Sequence, residues 1–424
     1  MKPSKPPSEA LVDVPDPVSH RHVAEKWRSV KLTNVCRDIT VGFVGSMSHL
    51  FVDDGVPLLR GQNIKPFSLD LSNLKFIPDA VHRKWKKSAL EAGDVVIVRV
   101  GYPGTACVIP ESFGPLNAAS LVIVRPDHQK LNPHFLANIL NSPWGKATVN
   151  GRLVGAAQQV FNTTTAAELQ IPLPPMTTQK KIVLVLGAYD ELIENNRRRI
   201  EILEEMARQL YREWFVQFRF PGHAHVPLTD SPLGKIPKGW EVKTLFELAE
   251  VNYGKNLPTK NLAKDGKFPV YGAAKIIGRH TEYTREKRTI LTGCRGSVGQ
   301  MQISQPRCFV TNNSFTFDPV LSDSFFWLFH ALENRGLRDV VGGAAQPQIT
   351  LDGISSVALV TPPQAIRKRF EEIVAPKFQL AWSLGDAVAN LQTTRDLLLP
   401  RLISGELDVS ELPIEVEEAA RDGE

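Results

Sequence analysis

The chain has 424 residues, of which 42% are hydrophobic and 22% charged, which excludes a disordered or fibrous protein and allows two or three cores. Residues 405–424 hold eight acids and one arginine, so this tail carries −7 and the rest of the chain +12. A basic body is compatible with a polyanionic partner, although charge alone identifies none.

The N-terminal segment is rich in proline and lacks the apolar core of a signal peptide, so we expect a disordered leader over residues 1–22. No apolar run approaches the roughly 18 residues of a membrane span, which predicts a cytoplasmic protein. Cys36, Cys107, Cys294 and Cys308 are scattered, without a metal-ligand spacing. We therefore expect reduced core thiols and neither a zinc module nor a disulfide framework.

The second half of the chain repeats the first. Three landmarks return after 188 residues: Gly-Ala-Ala-Gln at 155–158 and 343–346, Pro-Pro at 174–175 and 362–363, and a basic pair at 180–181 and 368–369. Further upstream the match loosens, and residues 101–105 resemble residues 293–297. Trp27 and Trp240 open the two copies, and the first copy carries about 25 extra residues.

Each copy combines a strand-like part with a helical part. Short β-branched or aromatic runs predict strands at residues 94–100, 121–124, 289–292 and 314–317. Apolar residues then recur every seven positions from Ile182 to Leu210 and from Phe370 to Leu398, which predicts two long helices that bury their stripes against each other. The first would run from residue 177 to about 218, roughly 60 Å. Asn196 in its stripe either sets the register or lies near solvent.

Sequence signals for catalysis are lacking. We find neither an Asn/Asp-Pro-Pro-aromatic methyltransferase motif nor a G-x-x-x-x-G-K-[ST] phosphate loop. His223 and His225 have no acidic or Cys partner at a ligand spacing, which favours a surface loop over a metal site, and Ser46 is not flanked like a nucleophile elbow. We therefore predict no catalytic residue, no metal and no cofactor in this chain.

Several segments together resemble the DNA specificity subunit of type I restriction-modification systems, over about residues 24–412. They are Ile-Pro-Leu-Pro-Pro at 171–175 running into 179–182, residues 186–196, Tyr-Arg-Glu-Trp-Phe-Val-Gln-Phe at 211–218, Lys-Gly-Trp at 238–240 and the closing segment 398–407. One departure is that the second Pro-Pro is followed by Gln-Ala-Ile-Arg, without the glutamine that Gln179 supplies in the first copy.

The resemblance implies a mixed α+β or α/β fold, with two globular target recognition domains in direct repeat that are separated and joined by two long antiparallel coiled-coil helices. The implied segments are a leader (1–22), recognition domain 1 (23–173), a central helix (174–220), recognition domain 2 (221–361), a C-terminal helix (362–405) and an acidic tail (406–424).

The resemblance also implies a non-catalytic targeting role. Each recognition domain would read one half of a bipartite, asymmetric site in double-stranded DNA, with half-sites about 34 Å apart on one face of the duplex. The implied partners are two copies of the methyltransferase subunit, which methylates adenine, and restriction subunits that cleave DNA with ATP.

Both predicted recognition domains are modestly basic, with 16 Lys and Arg against 10 acids in residues 26–170 and 14 against 11 in residues 240–360. Because Arg pairs with guanine and Asn or Gln with adenine, polar loop residues are the candidates for DNA contact. They are Arg60, Gln62, Asn63, Arg99 and Tyr102 in the first domain and Lys255, Asn256, Lys275, Arg279 and Arg295 in the second. A solvated surface position is the alternative for each. For the repeated Gln158 and Gln346 we favour a shared structural role.

Two other functions remain open from sequence alone. A single-chain methyltransferase or nuclease with an unrecognised site would transfer methyl groups or cut DNA by itself. A coiled-coil scaffold would show absent or salt-insensitive binding to duplex DNA, even with a methyltransferase partner present.

Overall fold

The computed structural model describes residues 27–152, 160–343 and 347–415. The predicted leader, the repeated Gln158 and Gln346 and the last part of the acidic tail lie outside the described residues. The chain divides into two compact units. The first unit comprises the described parts of residues 27–195 and 388–415, and the second unit comprises those of residues 196–387. Within the described ranges, no helix is both long and apolar enough to cross a membrane.

The first unit begins with a mixed domain of short strands and short helices. Its strands are β1 (Arg28–Lys31), β2 (Cys36–Val41), β3 (Val56–Leu59), β4 (Ile64–Lys65), β5 (Ser68–Leu69), β6 (Lys75–Ile77), β7 (Ala89–Leu90), β8 (Val95–Val98), β9 (Ala106–Val108), β10 (Leu116–Ala118), β11 (Leu121–Pro126) and β12 (Gln170–Leu173). Its helices are α1 (Asp79–Lys84), α2 (Pro133–Asn141), α3 (Pro143–Asn150) and α4 (Thr163–Ala167). Helix α5 (Met176–Tyr211) follows directly.

Two four-stranded sheets organise this domain, in the orders β2-β11-β8-β9 and β6-β3-β10-β7. The central strands β8 and β11 read as continuous apolar runs because both of their faces are buried. Helix α2 packs beside them, and Phe135 and Leu136 lie in the same core as Val95 and Val122. Asn132 caps α2, and its side-chain oxygen accepts from the backbone N–H of Phe135 at 3.1 Å.

The second unit repeats this plan. Its strands are β13 (Leu228–Ser231), β14 (Gly234–Pro237), β15 (Glu241–Thr244), β16 (Ala249–Tyr253), β17 (Phe268–Gly272), β18 (Lys275–His280), β19 (Ile290–Gly293), β20 (Met301–Ile303), β21 (Phe309–Val310), β22 (Ser314–Pro319), β23 (Val341–Gly342), β24 (Gln348–Ile349) and β25 (Ala358–Thr361). Its helices are α6 (Leu245–Leu248), α7 (Phe325–Arg335), α8 (Leu351–Ser355) and α9 (Gln364–Ser404), of which α9 ends in the first unit.

One sheet of each unit corresponds strand by strand, and the other corresponds over three strands. The order β16-β22-β19-β20 matches β2-β11-β8-β9, and β18-β17-β21 matches the core of the other sheet. In both of these second sheets the pairing of the two inner strands, β3 with β10 and β17 with β21, is parallel. The structure therefore confirms the repeat that the sequence predicted.

The 188-residue register holds at the level of single hydrogen bonds. The Asn162 side chain caps α4 by accepting from Thr165 N–H at 2.8 Å, and Thr350, 188 positions later, caps α8 by accepting from Gly353 N–H at 3.2 Å. At the opening of each copy the offset is 213, from Arg28 to Glu241. The first copy holds its extra residues mainly between β3 and β8, where α1 and β7 have no counterpart in the described part of the second copy.

In each domain a strand near the start pairs with the last strand before the long helix. Strand β1 pairs antiparallel with β12, and β15 pairs antiparallel with β25. The chain therefore enters and leaves each domain at one place, next to the start of a long helix. This closure requires pairing between residues more than 100 positions apart, such as Val30 with Ile171.

The two long helices are shared between the units, and they pack against each other within each one. In the first unit, Ile182 and Leu186 of α5 join Leu402 and Ile403 of α9 in one core. The helices run antiparallel there, because Asp190 of α5 contacts Arg395 of α9, while the earlier Lys181 contacts the Ser410 carbonyl just beyond the end of α9. In the second unit, Ala207 and Tyr211 share a core with Phe370 and Val374. A π-helical turn, Arg212–Val216, extends α5 to about the predicted length.

Candidate nucleic-acid interface

Loops from four places in the chain meet at one end of each domain. In the second unit, Gly254 N–H donates to the Ser314 carbonyl at 3.1 Å, Ala274 N–H to Ser314 Oγ at 3.4 Å, and Cys294 N–H to the Asn313 carbonyl at 2.9 Å. We call these loops, residues 254–257, 273–275, 294–300 and 311–313, the second rim. They follow β16, β17 and β19 and precede β22.

The first unit has the equivalent loops, residues 42–45, 60–63, 99–105 and 119–120, which we call the first rim. Phe43 N–H donates to the Ala118 carbonyl and Ala119 N–H to the Leu59 carbonyl, both at 2.8 Å. A Cβ on Gly61 would lie 3.7 Å from the Val98 side chain, so the loops at 60–63 and 99–105 are also neighbours. Both rims present the ends of a sheet rather than its face.

One loop of each rim has the same length and has left-handed glycines at the same two positions. Seven residues join β8 to β9 (99–105) and seven join β19 to β20 (294–300). Gly101 and Gly104 have φ of 90° and 85°, and Gly296 and Gly299 have φ of 80° and 78°. These left-handed values favour glycine, because a side chain there is strained. We call the two loops the paired turns.

A hydrogen bond at the same position closes each paired turn. Gly104 N–H donates to the Val98 carbonyl at 3.0 Å, and Gly299 N–H donates to the Gly293 carbonyl at 3.1 Å. The structure therefore aligns residues 101–105 with 296–300, three positions away from the match with 293–297 that the sequence favoured. The left-handed glycines fix this alignment, whereas the sequence match had followed the first glycine of each run.

On the first rim, four of the five predicted residues are at least partly exposed. Tyr102 is 76% exposed at the tip of its paired turn, Gln62 is exposed, and Arg60 and Arg99 are half-buried. Asn63 is buried, and its side chain accepts from Arg60 N–H at 3.1 Å and donates to the Asp70 carbonyl at 2.9 Å. In this structure the Asn63 amide therefore holds the loop that carries its neighbours.

On the second rim, Lys255, Asn256, Lys275 and Arg295 are exposed. Lys255 is fixed through its backbone, which donates to the Val310 carbonyl at 2.9 Å. Arg279 is not brought together with them: it lies near the other end of β18, where its guanidinium donates to the Gly266 and Lys267 carbonyls at 2.5 Å.

Each paired turn is anchored to the segment after the repeated Gly-Ala-Ala-Gln. Phe161 N–H donates to the Arg99 carbonyl at 3.1 Å, and Ile349 N–H donates to the Cys294 carbonyl at 2.9 Å. Arg295 also forms a β-bridge with Gln348. Sequence reasoning missed Val100 and Ser297, which share the paired turns with Tyr102 and Arg295. The Gly-x-x-Gly spacing at 101–104 and 296–299 was the signal that pointed to them.

The thiols near the rims are not set up as nucleophiles. Burial raises the pKa of Cys107 to about 12 and also raises the pKa of Cys294, which follows β19 directly. A thiol with a raised pKa stays protonated at neutral pH and is unreactive. Among residues 27–152, 160–343 and 347–415, no group of three or more His, Cys, Asp or Glu side chains is arranged to hold a metal ion.

A duplicated α/β domain that presents loop rims and is held by shared long helices defines a class of two-site recognition protein. The model of the type I restriction modification DNA specificity domain matches the chain twice, at residues 70–205 and 237–375. The chain belongs to this family: it is a type I restriction-modification specificity subunit, the non-catalytic component that recognises the DNA target.

Relatives carry the same description. The chain is 28% identical to the MjaIX specificity subunit of Methanocaldococcus jannaschii, over 59% of this chain and 63% of that protein, which is less than two thirds of its length. It is 22% identical to the HindI specificity subunit of Haemophilus influenzae, over 90% of this chain and 99% of that protein.

A solved structure supports the fold. The crystal structure of a type I restriction-modification S subunit from M. genitalium superposes with a TM-score of 0.59, at 18% identity, over 89% of this chain and 96% of that one. At this identity the likeness concerns the fold alone.

Proposed function

We propose that this chain reads a bipartite, asymmetric sequence in double-stranded DNA, with one half-site for each rim. The observation that carries the proposal is the pair of rims, which share a backbone framework but present different side chains. A duplicated frame with different contents is suited to reading two unlike half-sites. The candidates are the exposed Gln62 and Tyr102 with the half-buried Arg60 and Arg99 on the first rim, and the exposed Lys255, Asn256, Lys275 and Arg295 on the second.

The chemistry of the rims divides into two tasks. Lysines such as Lys255 and Lys275 are flexible point charges that suit phosphate oxygens, and such contacts supply affinity without sequence information. Arg, Asn and Gln side chains present paired donors or acceptors that match base edges in the major groove. The modest positive charge of each domain favours the approach of a polyanion.

The long helices offer a place for the catalytic partners. On α5, Ile202 and Met206 are 51% and 49% exposed beside Glu201 and Glu205. We propose that the complex contains two methyltransferase subunits, which methylate adenine, and restriction subunits that cleave DNA with ATP, and that it works in the cytoplasm. The targeting subunit itself would then need no cofactor.

Modified-base sequencing of the host genome, with and without this gene, tests the proposal. We expect a split motif with methylated adenine in both halves to disappear on deletion and to return on complementation. Unchanged methylation, in a strain whose methyltransferase subunit is expressed, would contradict the targeting role.

A domain exchange then separates the two half-sites. Replacing residues 27–173 by the same domain of a relative keeps the closing pair of strands together and leaves α5 intact. We expect one half of the motif to change and the other half to stay. A motif that is unchanged would show that the rims do not select the sequence, and methyl transfer by the purified chain alone would favour a single-chain enzyme.

A further inference from the structure

The paired turns differ in chemistry although their backbones match. At the position before the first left-handed glycine the first turn has Val100, which is 41% exposed, and the second has the exposed Arg295. At the position after that glycine the first turn has Tyr102 and the second has Ser297. One turn is therefore apolar and aromatic at its tip, whereas the other carries a guanidinium and a hydroxyl.

The paired turns also occupy the same place within their rims. Each follows the fully buried central strand of its sheet, β8 or β19. Each also lies against the loop that follows the neighbouring strand of the second sheet: Gly61 is close to Val98, and a Cβ on Gly296 would lie 3.7 Å from the Ala273 side chain. Because the paired turns are placed in the same way on buried strands, their tips would contact corresponding positions of the two ligands.

Their anchoring leaves the side chains free to act outward. Hydrogen bonds to the Val98 and Gly293 carbonyls close the turns, and those from Phe161 and Ile349 fix the residue that follows each strand. All of these bonds use backbone atoms. The side chains at positions 100, 102, 295 and 297 can therefore vary without a change in the shape of the turn.

We propose that the paired turns are the base-reading elements of the two half-sites and that they read different bases. This inference rests on the proposed function. Arg295 donates two hydrogen bonds to O6 and N7 of a guanine in one half-site, which is the pairing that a guanidinium fork favours. Val100 and the Tyr102 ring contact the methyl group of a thymine in the other half-site, because their apolar surface suits that methyl group.

The first test is Arg295→Ala in the complete methyltransferase complex, read out by modified-base sequencing. We expect one guanine position of one half-site to become degenerate while the other half-site is unchanged. Discrimination at that position should fall by about 5- to 150-fold, the range of one bidentate base contact. Arg279→Ala is the matched control, because it removes the same charge from the same domain at the other end of β18.

Arg295→Lys keeps the charge but loses the planar fork. We expect it to relax the same guanine position, which separates base reading from simple attraction to phosphate. If Arg295→Ala abolishes all methylation, Arg295→Lys decides: a relaxed guanine supports the proposal, and an unchanged motif overturns it.

A gain-of-function variant tests the equivalence of the turns. Val100→Arg places a guanidinium at the position that corresponds to Arg295, and we expect one position of the first half-site to shift toward guanine. An unchanged motif in both Val100→Arg and Arg295→Ala, with methylation intact, would overturn the inference about the turns and leave the targeting role standing. Methylation that persists after gene deletion would instead contradict the targeting role itself.

Discussion

One buried position at the junction between each domain and its long helix is a glutamine in the first unit and an arginine in the second. In the first unit, Gln179 is 1% exposed, and its amide donates to the Pro174 and Lys130 carbonyls and accepts from Asn132 N–H. At the equivalent position of the second unit, Arg367 donates to the Pro362 carbonyl at 2.6 Å. In the second copy, Arg367 therefore takes over the hydrogen bond that Gln179 donates to the proline carbonyl in the first copy.

A second residue completes that replacement. Glu371, one turn after Arg367, accepts from Trp327 N–H at 2.9 Å at the start of α7, as the Gln179 oxygen accepts at the start of α2. One neutral amide in the first unit thus corresponds to an arginine and a carboxylate in the second. The arrangement has a cost, because desolvation opposes the charge on both side chains.

Replacing Gln179 by alanine should destabilise the first unit by about 1–3 kcal/mol, because buried partners lose their hydrogen bonds. The free energy of unfolding in urea measures the effect. Gln364→Ala is the control, since Gln364 is exposed and its amide donates to the exposed Ser322 and Asp323 side chains. Equal stability of the two variants would contradict the structural role of Gln179.

Glu371 should make the second unit sensitive to pH. Burial raises the pKa of its carboxyl from 4.5 to about 7, although the Trp327 and Phe326 N–H groups oppose the rise. Between these two values the folded chain keeps a proton that the unfolded chain has lost, so stability falls as pH rises from about 4.5 to 7, by up to about 3 kcal/mol.

Urea denaturation at pH 5 and at pH 8 measures this dependence. Glu371→Gln keeps an acceptor for Trp327 N–H but does not titrate, so its stability should change less across the window. The neighbouring Glu372→Gln serves as control, because Glu372 is exposed and should leave the pH dependence as it was. A pH dependence that persists in Glu371→Gln would assign it to other groups.

At the scale of elements, the long helices contain glycines that no tertiary contact requires. Gly187 in α5 and Gly385 in α9 have helical φ, and a Cβ at either would meet nothing within 4 Å. Alanine there should raise the free energy of unfolding by about 0.5–1 kcal/mol, because it restricts the unfolded chain and favours helix.

Gly145 provides the opposite case. A Cβ at this position in α3 would lie 2.0 Å from the Ile139 carbonyl oxygen, so Gly145→Ala should destabilise the first unit. Thermal unfolding of the three alanine variants tests both signs. Destabilisation by all three would contradict the prediction for Gly187 and Gly385.

The sequence was informative for elements with a local pattern. The run at 94–100 contains β8, the runs at 121–124, 289–292 and 314–317 overlap β11, β19 and β22, and the seven-residue periodicity located both long helices. The pairing of β1 with β12 was not predicted, because it joins distant residues and no local pattern records it. The true alignment of the paired turns depends on left-handed backbone, which the sequence shows only through glycine spacing.

The candidate rim residues could be predicted only in part. Charge and residue type pointed to loops, and the exposed Tyr102, Lys255 and Arg295 are on the rims. Nothing in residue type distinguished Asn63, whose amide is used inside its loop, or Arg279, which is held at the other end of β18. Whether a residue of β18 lies at the rim depends on its position along the strand, which the residue type does not reveal.

At the scale of the whole molecule, the separation of phosphate contacts from base contacts predicts how the complex responds to salt. Lys255→Ala and Lys275→Ala should each weaken binding to all sequences alike and lower the slope of log affinity against log salt by about 1. Titration of the methyltransferase complex with cognate and unrelated duplexes measures both. Arg279→Ala should leave the slope nearly unchanged, and an equal fall in all three variants would contradict the placement of DNA at the rim.

The division of both long helices between the units has a consequence for synthesis on the ribosome. The core of the first unit includes Leu399, Leu402 and Ile403, which are translated after the whole of the second unit, since that unit ends at residue 387. The domain that emerges first therefore completes its core after the second unit has been translated. At about 5–20 residues per second, the delay after residue 195 is roughly 10–40 s. During that interval the stripe of α5 around Ile182 and Leu186 lacks its partner helix, so the nascent chain is most exposed to chaperones and proteases at its older end.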